Sequence, residues 1–275
     1  MSKSTQTWLR ELTSFYTPSS SDFEAARSHK YSIEARLEAS LGIYSMYEIG
    51  SLSHGTAVWL HSDVDCLVSL QGERPQSPQT TLNNVKASLQ ERFPNTTIGI
   101  RRPAVVCYFS DSIVEVVPAY VSSSGGYWIS SPLGGWMKTH PSDHKSYVNE
   151  VNKKHDGGAK ALVRQLKIWK YRREVPVSSC YLEMRAAKYM NGETSYLPTW
   201  DLHNALERMY EAGLASMNDP TGLGSRFDAC SSDVKKVQAL SKLNTAMNRA
   251  RKAREYESGG EHGKAIEQLE LLFNK

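Results

Sequence analysis

Two short stretches of sequence decide the fold, GSLSHGT at residues 50–56 and SDVDCLV at residues 62–68. The first follows a short strand-like run and is predicted to be a glycine turn that opens a helix. The second is predicted to be a strand, in which side chains two residues apart point to the same face. Asp63 and Asp65 should therefore project together, while Val64 points into a core.

Two adjacent carboxylates repel each other, and folding alone gives no reason to place them side by side. A bound divalent cation would explain the pair, because Mg²⁺ prefers hard oxygen ligands, usually one or two carboxylates together with the phosphates of a substrate. Gly50 lets the backbone approach a ligand closely, and the free amides at a helix start bind phosphate. The pattern therefore predicts a site for a metal ion and a phosphate group.

The same residues resemble the signature of the polymerase-β-like nucleotidyltransferases, in which Gly-Ser, Gly-Thr and Asp-x-Asp follow one another. This resemblance implies a third carboxylate in a neighbouring strand, and Glu115 stands there within an apolar run that ends in Pro-Ala. Most relatives have Asp at this place, one methylene shorter. The resemblance implies that Asp63, Asp65 and Glu115 are catalytic and hold two Mg²⁺ ions, or Mn²⁺. It also implies that Gly50 and Ser51 contact the nucleotide.

A second resemblance lies in the C-terminal half of the chain. The runs LVRQLKIWK at residues 162–170 and SSCYLE at residues 178–183 are similar to two consecutive helices of the CD-NTases. These are the bacterial relatives of cyclic GMP–AMP synthase and the oligoadenylate synthases. In that family a lysine and a serine at these places hold the triphosphate of the donor nucleotide. The resemblance therefore implies that Lys167 and Ser179 bind triphosphate.

Lys167 also has a simpler explanation. On a 3.6-residue period, Leu162, Leu166 and Trp169 share one face of a helix, and Lys167 lies on the other. A charged helix face is usually just solvated. The sequence leaves a surface lysine and a phosphate ligand as alternatives.

The order of the predicted elements indicates an α+β fold with two lobes and an active site in the cleft between them. Residues 1–142, with two N-terminal helices, are predicted to form a nucleotidyltransferase lobe that has a mixed sheet flanked by helices. Residues 143–275 are predicted to form a helical lobe. Within it, a long helix at residues 231–257 is predicted to bury Val234 and Val237.

Composition and cysteine spacing argue against a membrane-spanning protein, a secreted protein and a zinc-binding protein. Hydrophobic residues make up 40% and charged residues 23%, with a net charge of +4 that suits a polyanionic substrate. No apolar run approaches the roughly 20 residues that span a bilayer, and the N-terminus lacks an apolar signal core. The four cysteines lack the spacing of a zinc site. We expect a cytoplasmic protein that makes no contact with a membrane.

The resemblance implies an enzyme that joins nucleoside triphosphates (NTPs) with release of pyrophosphate. Its product would be an oligonucleotide second messenger, preferably cyclic, for antiphage defence. The implied partners are NTPs and an effector or regulatory protein from a defence operon, with no requirement for nucleic acid. Three alternatives stay open: synthesis of linear oligonucleotides, transfer of a nucleotide onto RNA or protein, and a catalytically silent nucleotide-binding sensor.

Overall fold

The computed structural model describes residues 3–59 and 63–275. The helices and strands follow one another in this order: α1 (Thr5–Phe15), α2 (Glu24–Leu41), β1 (Ile43–Glu48), α3 (Gly50–His54), β2 (Val64–Leu70), α4 (Pro78–Arg92), β3 (Thr97–Arg101), β4 (Ala104–Tyr108), β5 (Ile113–Val121), β6 (Tyr127–Ser130), β7 (Trp136–Thr139), α5 (Pro141–Lys154), α6 (Gly158–Arg172), α7 (Ser179–Asn191), α8 (Pro198–Glu211), α9 (Asp233–Ser258) and α10 (His262–Phe273). The predicted α+β fold, a mixed sheet followed by helices, is confirmed.

The strands form one sheet in the order β1-β2-β5-β4-β3, with β6 paired to β5 and β7 paired to β6. Strands β2 and β5 run parallel, whereas the other pairs along the described chain are antiparallel. In the parallel pair, Asp65 lies opposite Glu115. Because residues paired across a sheet point to the same face, this register brings the two carboxylates side by side.

The two faces of the sheet have different neighbours. Val64, Cys66 and Val68 alternate along β2 and are buried in a cluster with residues of α2 and α4, such as Ile33 and Val85. The residues between them point the other way. On that second face, the Asp65–Glu115 pair is followed by the buried residues Leu67 and Val117. The apolar part of this face thus ends where the acids begin.

Helix α1 packs against the C-terminal helices, which corrects its predicted place in the first lobe. Trp8, Leu9 and Leu12 are buried in one cluster with Leu166 of α6 and Phe273 of α10. The apolar stripe of α1 was visible in the sequence, but periodicity does not say which partner covers a stripe. The division at residues 142 and 143 stays a prediction, with α1 belonging to the helical core.

Helix α9 exposes the residues that begin its predicted apolar stripe. Val234 and Val237 are 69% and 68% exposed, whereas Leu243 and Ala250, further along, are fully buried. The expectation of two buried valines is therefore wrong, because only the later turns of α9 lie against the core. No helix in the described ranges, α9 included, is long and apolar enough to cross a membrane.

Candidate active site

Three acids and one arginine meet at the end of the parallel strand pair. Asp63 immediately precedes β2, and Asp65 and Glu115 are register partners within it. The Nη2 atom of Arg101, at the end of β3, lies 3.2 Å from Asp63 Oδ2 and also contacts Glu115 Oε1. The structure thus brings together the three acids predicted from the sequence and adds a cation between two of them.

The surroundings of Asp65 disfavour its charge. Burial raises the pKa of Asp65 to about 7, and the neighbouring charge of Asp63 acts in the same direction. The positive charges of Lys167 and Arg101 lower the pKa of Asp65, but their effect is smaller than that of burial and Asp63. Near neutral pH the buried position of Asp65 therefore makes its ionised form unfavourable.

The donor chemistry of this cluster fits a divalent cation. Asp63, Asp65 and Glu115 offer only carboxylate oxygens, the ligands that Mg²⁺ and Mn²⁺ prefer. Over residues 3–59 and 63–275, however, no group of three or more Asp, Glu, His or Cys side chains is arranged so that it could hold a metal ion. The cation that two of the acids contact is the Arg101 guanidinium, so a metal ion would compete with it for the same oxygens.

The glycine turn is built against Asp65. The amide of Ile49 donates to the carbonyl of Asp65 at 2.9 Å, which fixes the start of α3 beside β2. Gly50 has φ 65°, in the left-handed region, and a Cβ at this position would collide with the Asp65 carboxylate. Glycine is therefore required at residue 50 by both conformation and space.

The Gly50→Ala variant is expected to be less stable than the matched Gly72→Ala variant and to bind Mn²⁺ more weakly. Both glycines have a positive φ, a conformation that costs an L-residue roughly 1–2 kcal/mol. A Cβ at Gly72 would meet nothing within 4 Å, whereas one at Gly50 must displace Asp65. Chemical denaturation and Mn²⁺ titration measure the difference. Equal losses in the two variants would show that the contact with Asp65 does not matter.

Helix α6 holds the turn that follows α3. Arg164 Nη2 donates to the carbonyl of Gly55 at 2.6 Å, and its Nε donates to the carbonyl of Ala57 at 3.3 Å. A cation near the last carbonyls of a helix is favourable, because they carry partial negative charge. The basic face of α6 thus contacts the backbone of the glycine turn through Arg164.

Lys167 lies in a buried network rather than on the surface. Its side chain is 2% exposed, and Nζ lies 2.5 Å from Glu183 Oε2 and 3.0 Å from Thr56 Oγ1. The carbonyl of Thr56, at 3.4 Å, takes the third of its donors. His54 Nδ1 lies 2.6 Å from Glu183 Oε1. Lys167 of α6 therefore connects the end of the glycine turn to Glu183 of α7. Its ammonium group is used in this network rather than in a contact with Ser179.

The lysine beside Ser179 is Lys170, one turn further along α6. Its Nζ lies 2.5 Å from Ser179 Oγ, which also lies 3.2 Å from the hydroxyl of Tyr171. Burial lowers the pKa of Lys170 to about 8, and the charges of Lys167 and Arg101 add to this effect. Sequence reasoning missed Lys170 because lysines three residues apart share a helix face; only the depth of packing separates them.

A cavity of about 680 Å³ lies beside Arg101, whose side chain reaches the acids. Lys170 lines the same cavity. Among the residues that the structure describes, the charged side chains on its wall are five cations and one carboxylate: Arg101, Arg102, Lys170, Arg226, Lys235 and Asp228. Apolar residues such as Met137, Val177 and Phe227 cover much of the rest. A cavity of this size, charge and apolar character suits an anionic ligand with a flat apolar part.

A loop between α8 and α9 closes one side of the cavity. Asp219 accepts hydrogen bonds from the amides of Thr221 and Gly224 at 2.8 and 2.9 Å. Its Oδ2 lies 2.7 Å from His144 Nε2, on α5. Burial favours the protonated form, but the bonds from His144 and Thr221 outweigh it and lower the pKa of Asp219 to about 2. This loop, which begins Asp-Pro-Thr-Gly at residue 219, is thus fixed to the first turn of α5.

A family model, described as the Second Messenger Oligonucleotide or Dinucleotide Synthetase domain (SMODS), matches residues 3–152. Among curated proteins, a probable cyclic nucleotide synthase of Bacillus cereus is 25% identical over 202 residues, 70% of this chain and 61% of the relative. The cyclic AMP-AMP-AMP synthase of Acinetobacter is 29% identical over 133 residues, 47% of this chain and 38% of the relative. The chain thus spans about three fifths of the first relative and under two fifths of the second.

Solved structures share the fold at low identity. CdnC of E. coli MS115-1, solved with ATP, has a TM-score of 0.71 at 16% identity, covering 94% of each chain. The same protein in a CdnC:HORMA-deltaN complex has a TM-score of 0.68 at 16% identity, covering 98% of this chain and 96% of that one. The CD-NTase CdnG of Bradyrhizobium diazoefficiens, in complex with GTP, has a TM-score of 0.72 at 12% identity, covering 100% and 99%.

The matched region includes Asp63, Asp65, Glu115 and the glycine turn, and it covers more than half of the 275 residues. The structural neighbours agree with the fold over nearly the whole chain. Together with the family model and the curated relatives, they confirm the predicted resemblance to the CD-NTases. The chain belongs to the family of Second Messenger Oligonucleotide or Dinucleotide Synthetase domains.

Proposed function

We propose that this chain is a metal-dependent nucleotidyltransferase that joins NTPs, with release of pyrophosphate, into a cyclic oligonucleotide second messenger. One observation carries the proposal: Asp63, Asp65 and Glu115 lie together, and Arg101, which contacts two of them, lines a cavity of about 680 Å³ in which cations outnumber acids among the described residues. Carboxylates suit a metal ion, and the cations suit the phosphates that it would accompany. The printed names of the two curated relatives, both cyclic nucleotide synthases, support the same product class.

The acids would hold the metal in this proposal. Asp63, Asp65 and Glu115 would bind two Mg²⁺ or Mn²⁺ ions, which supply positive charge at the attacking hydroxyl and at the leaving pyrophosphate. Gly50 allows Asp65 to lie against the glycine turn. The hydrogen bond from Arg164 to the carbonyl of Gly55 holds that turn in place. Little covalent chemistry is required of the protein, because positioning and electrostatics carry most of phosphoryl transfer.

The triphosphate would lie between the glycine turn and the start of α7. Ser51 is the second residue of α3, and Ser179 is the first residue of α7. The geometry favours Lys170 over Lys167 as the lysine of this site, since Lys170 is the one beside Ser179. Its pKa of about 8 leaves most of the side chain charged at neutral pH, so it can neutralise departing pyrophosphate.

A defence role and a partner protein belong to the same proposal. The role rests on the family, whose name describes second-messenger synthesis, and we propose antiphage defence as its setting. A regulatory partner is proposed because a structural neighbour was solved as a CdnC:HORMA-deltaN complex. A linear product, or nucleotide transfer onto RNA or protein, would use the same acids and is separated by product analysis.

A catalytically silent nucleotide-binding sensor is the second candidate. One observation favours it: Arg101 lies between Asp63 and Glu115 and compensates part of their charge. In such a protein the arginine would stay on the acids when nucleotide binds. The cavity and its cations would then serve binding alone.

Product analysis tests the proposal. The protein is incubated with each labelled NTP, singly and in mixtures, with Mg²⁺ or Mn²⁺, then treated with phosphatase and separated by chromatography. We expect a phosphatase-resistant product that is missing in the double variant Asp63→Asn, Asp65→Asn. The control is Asp111→Asn, an exposed acid that pairs with His29 in a turn before β5. Nucleotide binding without turnover under every condition would favour the silent sensor.

A further inference from the structure

We propose that Arg101 couples metal binding to nucleotide binding: it partly compensates the charge of Asp63 and Glu115 until a triphosphate in the cavity draws its guanidinium away from these acids. This inference rests on the proposed function and assigns to one side chain the order in which the site fills. It concerns a residue outside the predicted triad and outside the glycine turn.

Arg101 has a backbone held within the sheet and a largely exposed side chain. It is the last residue of β3 and pairs with the buried Ala104 of β4. The next residue, Arg102, donates to Gln79 Oε1 of α4 at 2.7 Å, which holds the β3–β4 turn from the other side. The Arg101 side chain itself is 61% exposed. Its guanidinium can therefore move between acids and cavity while the strand stays in place.

The first position of Arg101 competes directly with a metal ion. Its Nη2 atom contacts Asp63 Oδ2 and Glu115 Oε1, which are oxygens that the ion needs. Ion pairs of an exposed side chain are individually weak, so a doubly charged ion can displace the guanidinium. While Arg101 contacts the acids, however, it compensates part of their negative charge. A metal ion that binds without nucleotide is therefore attracted less strongly.

Arg101 can turn away from the acids toward the cavity only if an anion is bound there. The cavity that Arg101 lines also carries Arg102, Lys170, Arg226 and Lys235, against one carboxylate, Asp228, within residues 3–59 and 63–275. A guanidinium displaced into this space meets like charges and would be repelled. A triphosphate reverses the balance, because guanidinium groups form bidentate hydrogen bonds with phosphate. Nucleotide therefore makes it favourable for Arg101 to leave the acids, and metal and nucleotide should bind cooperatively.

Two binding measurements on one variant test the coupling. Arg101→Gln keeps a polar but shorter side chain and removes its charge. Binding of Mn²⁺ to the nucleotide-free protein, followed by electron paramagnetic resonance, is expected to tighten about fivefold in this variant. Binding of a non-hydrolysable ATP analogue at saturating Mn²⁺, followed by calorimetry, is expected to weaken about tenfold. A purely structural role would not move these two affinities in opposite directions.

Arg102→Gln is the matched control for the first measurement, since Arg102 lines the cavity and contacts Gln79 rather than the acids. Its Mn²⁺ affinity should equal that of the wild type. Unchanged or weaker Mn²⁺ binding in Arg101→Gln would overturn the coupling. If the wild type binds Mn²⁺ and the analogue as expected, that result leaves the proposed function standing. A wild type that binds neither would overturn both.

Discussion

The Asp65→Asn variant is expected to lose about 10³-fold or more in kcat/KM for nucleotide joining and, at the same time, to become more stable than the wild type. The loss follows from the role proposed for Asp65, because a catalytic metal contributes several kcal/mol of charge stabilisation, and each 1.36 kcal/mol is about tenfold in rate. Product formation per enzyme, with saturating Mg²⁺, measures it. Opposite effects on activity and stability distinguish a functional acid from one that supports the fold.

The gain in stability follows from the raised pKa of Asp65. Its folded-state pKa of about 7 lies above the ordinary value of 3.8, so the folded protein binds a proton more tightly than the unfolded chain. Ionised Asp65 therefore destabilises the metal-free fold at pH 8. The penalty falls as pH decreases through 7 and is gone below about pH 4.

The difference in free energy of unfolding between Asp65→Asn and the wild type should thus be largest at pH 8, on the order of 2–4 kcal/mol. It should decrease as the pH falls. Denaturant unfolding in the presence of a chelator measures it. Asp111→Asn serves as the control again, because hydrogen bonding from His29 lowers the pKa of that acid and removes any reason for a gain. A less stable Asp65→Asn variant would contradict this account of the charge at the site.

The Lys167→Met variant is expected to lose about 3–5 kcal/mol of stability, because it leaves the buried carboxylate of Glu183 without its cation. Burial alone would raise the pKa of Glu183, but the charge of Lys167 and the hydrogen bond from His54 hold it well below its usual range. A carboxylate with a lowered pKa stabilises the fold above its unfolded pKa, and this contribution is lost as the pH falls. Unfolding is therefore compared at pH 7, where the full contribution is present.

Two further variants separate stability from ligand binding. Lys167→Met combined with Glu183→Leu removes both charges and should recover much of the lost stability. Lys170→Met is the matched control, since Lys170 contacts Ser179 and is less buried. It should unfold like the wild type but bind a non-hydrolysable NTP analogue more weakly. A stable Lys167→Met variant with weakened analogue binding would return the triphosphate role to Lys167.

The acids could be predicted from the sequence because their pattern is local. Asp63 and Asp65 stand two residues apart beside a glycine turn, and Glu115 is the acid within an apolar strand. A strand period of two then determines the face on which each lies. The structure confirms that Asp65 and Glu115 share a face and a register.

The rest of the site depends on contacts between distant segments. Lys167 and Lys170 are equivalent on a helical wheel, and only the packing of α6 against Glu183 and the glycine turn separates them. Arg101 reaches the acids because β3 lies two strands away from β5 in the same sheet, an order that the sequence does not state. The same limit applies to helix α1, whose stripe was visible but whose partner was not.

A crystal structure with Mn²⁺ and a non-hydrolysable ATP analogue would locate both ligands at once, because anomalous scattering identifies the metal independently of the protein. We expect Mn²⁺ among Asp63, Asp65 and Glu115, the triphosphate between Ser51 and the Lys170–Ser179 pair, and the base in the cavity. Mn²⁺ away from these acids, or an analogue bound outside the cavity, would contradict the proposed site.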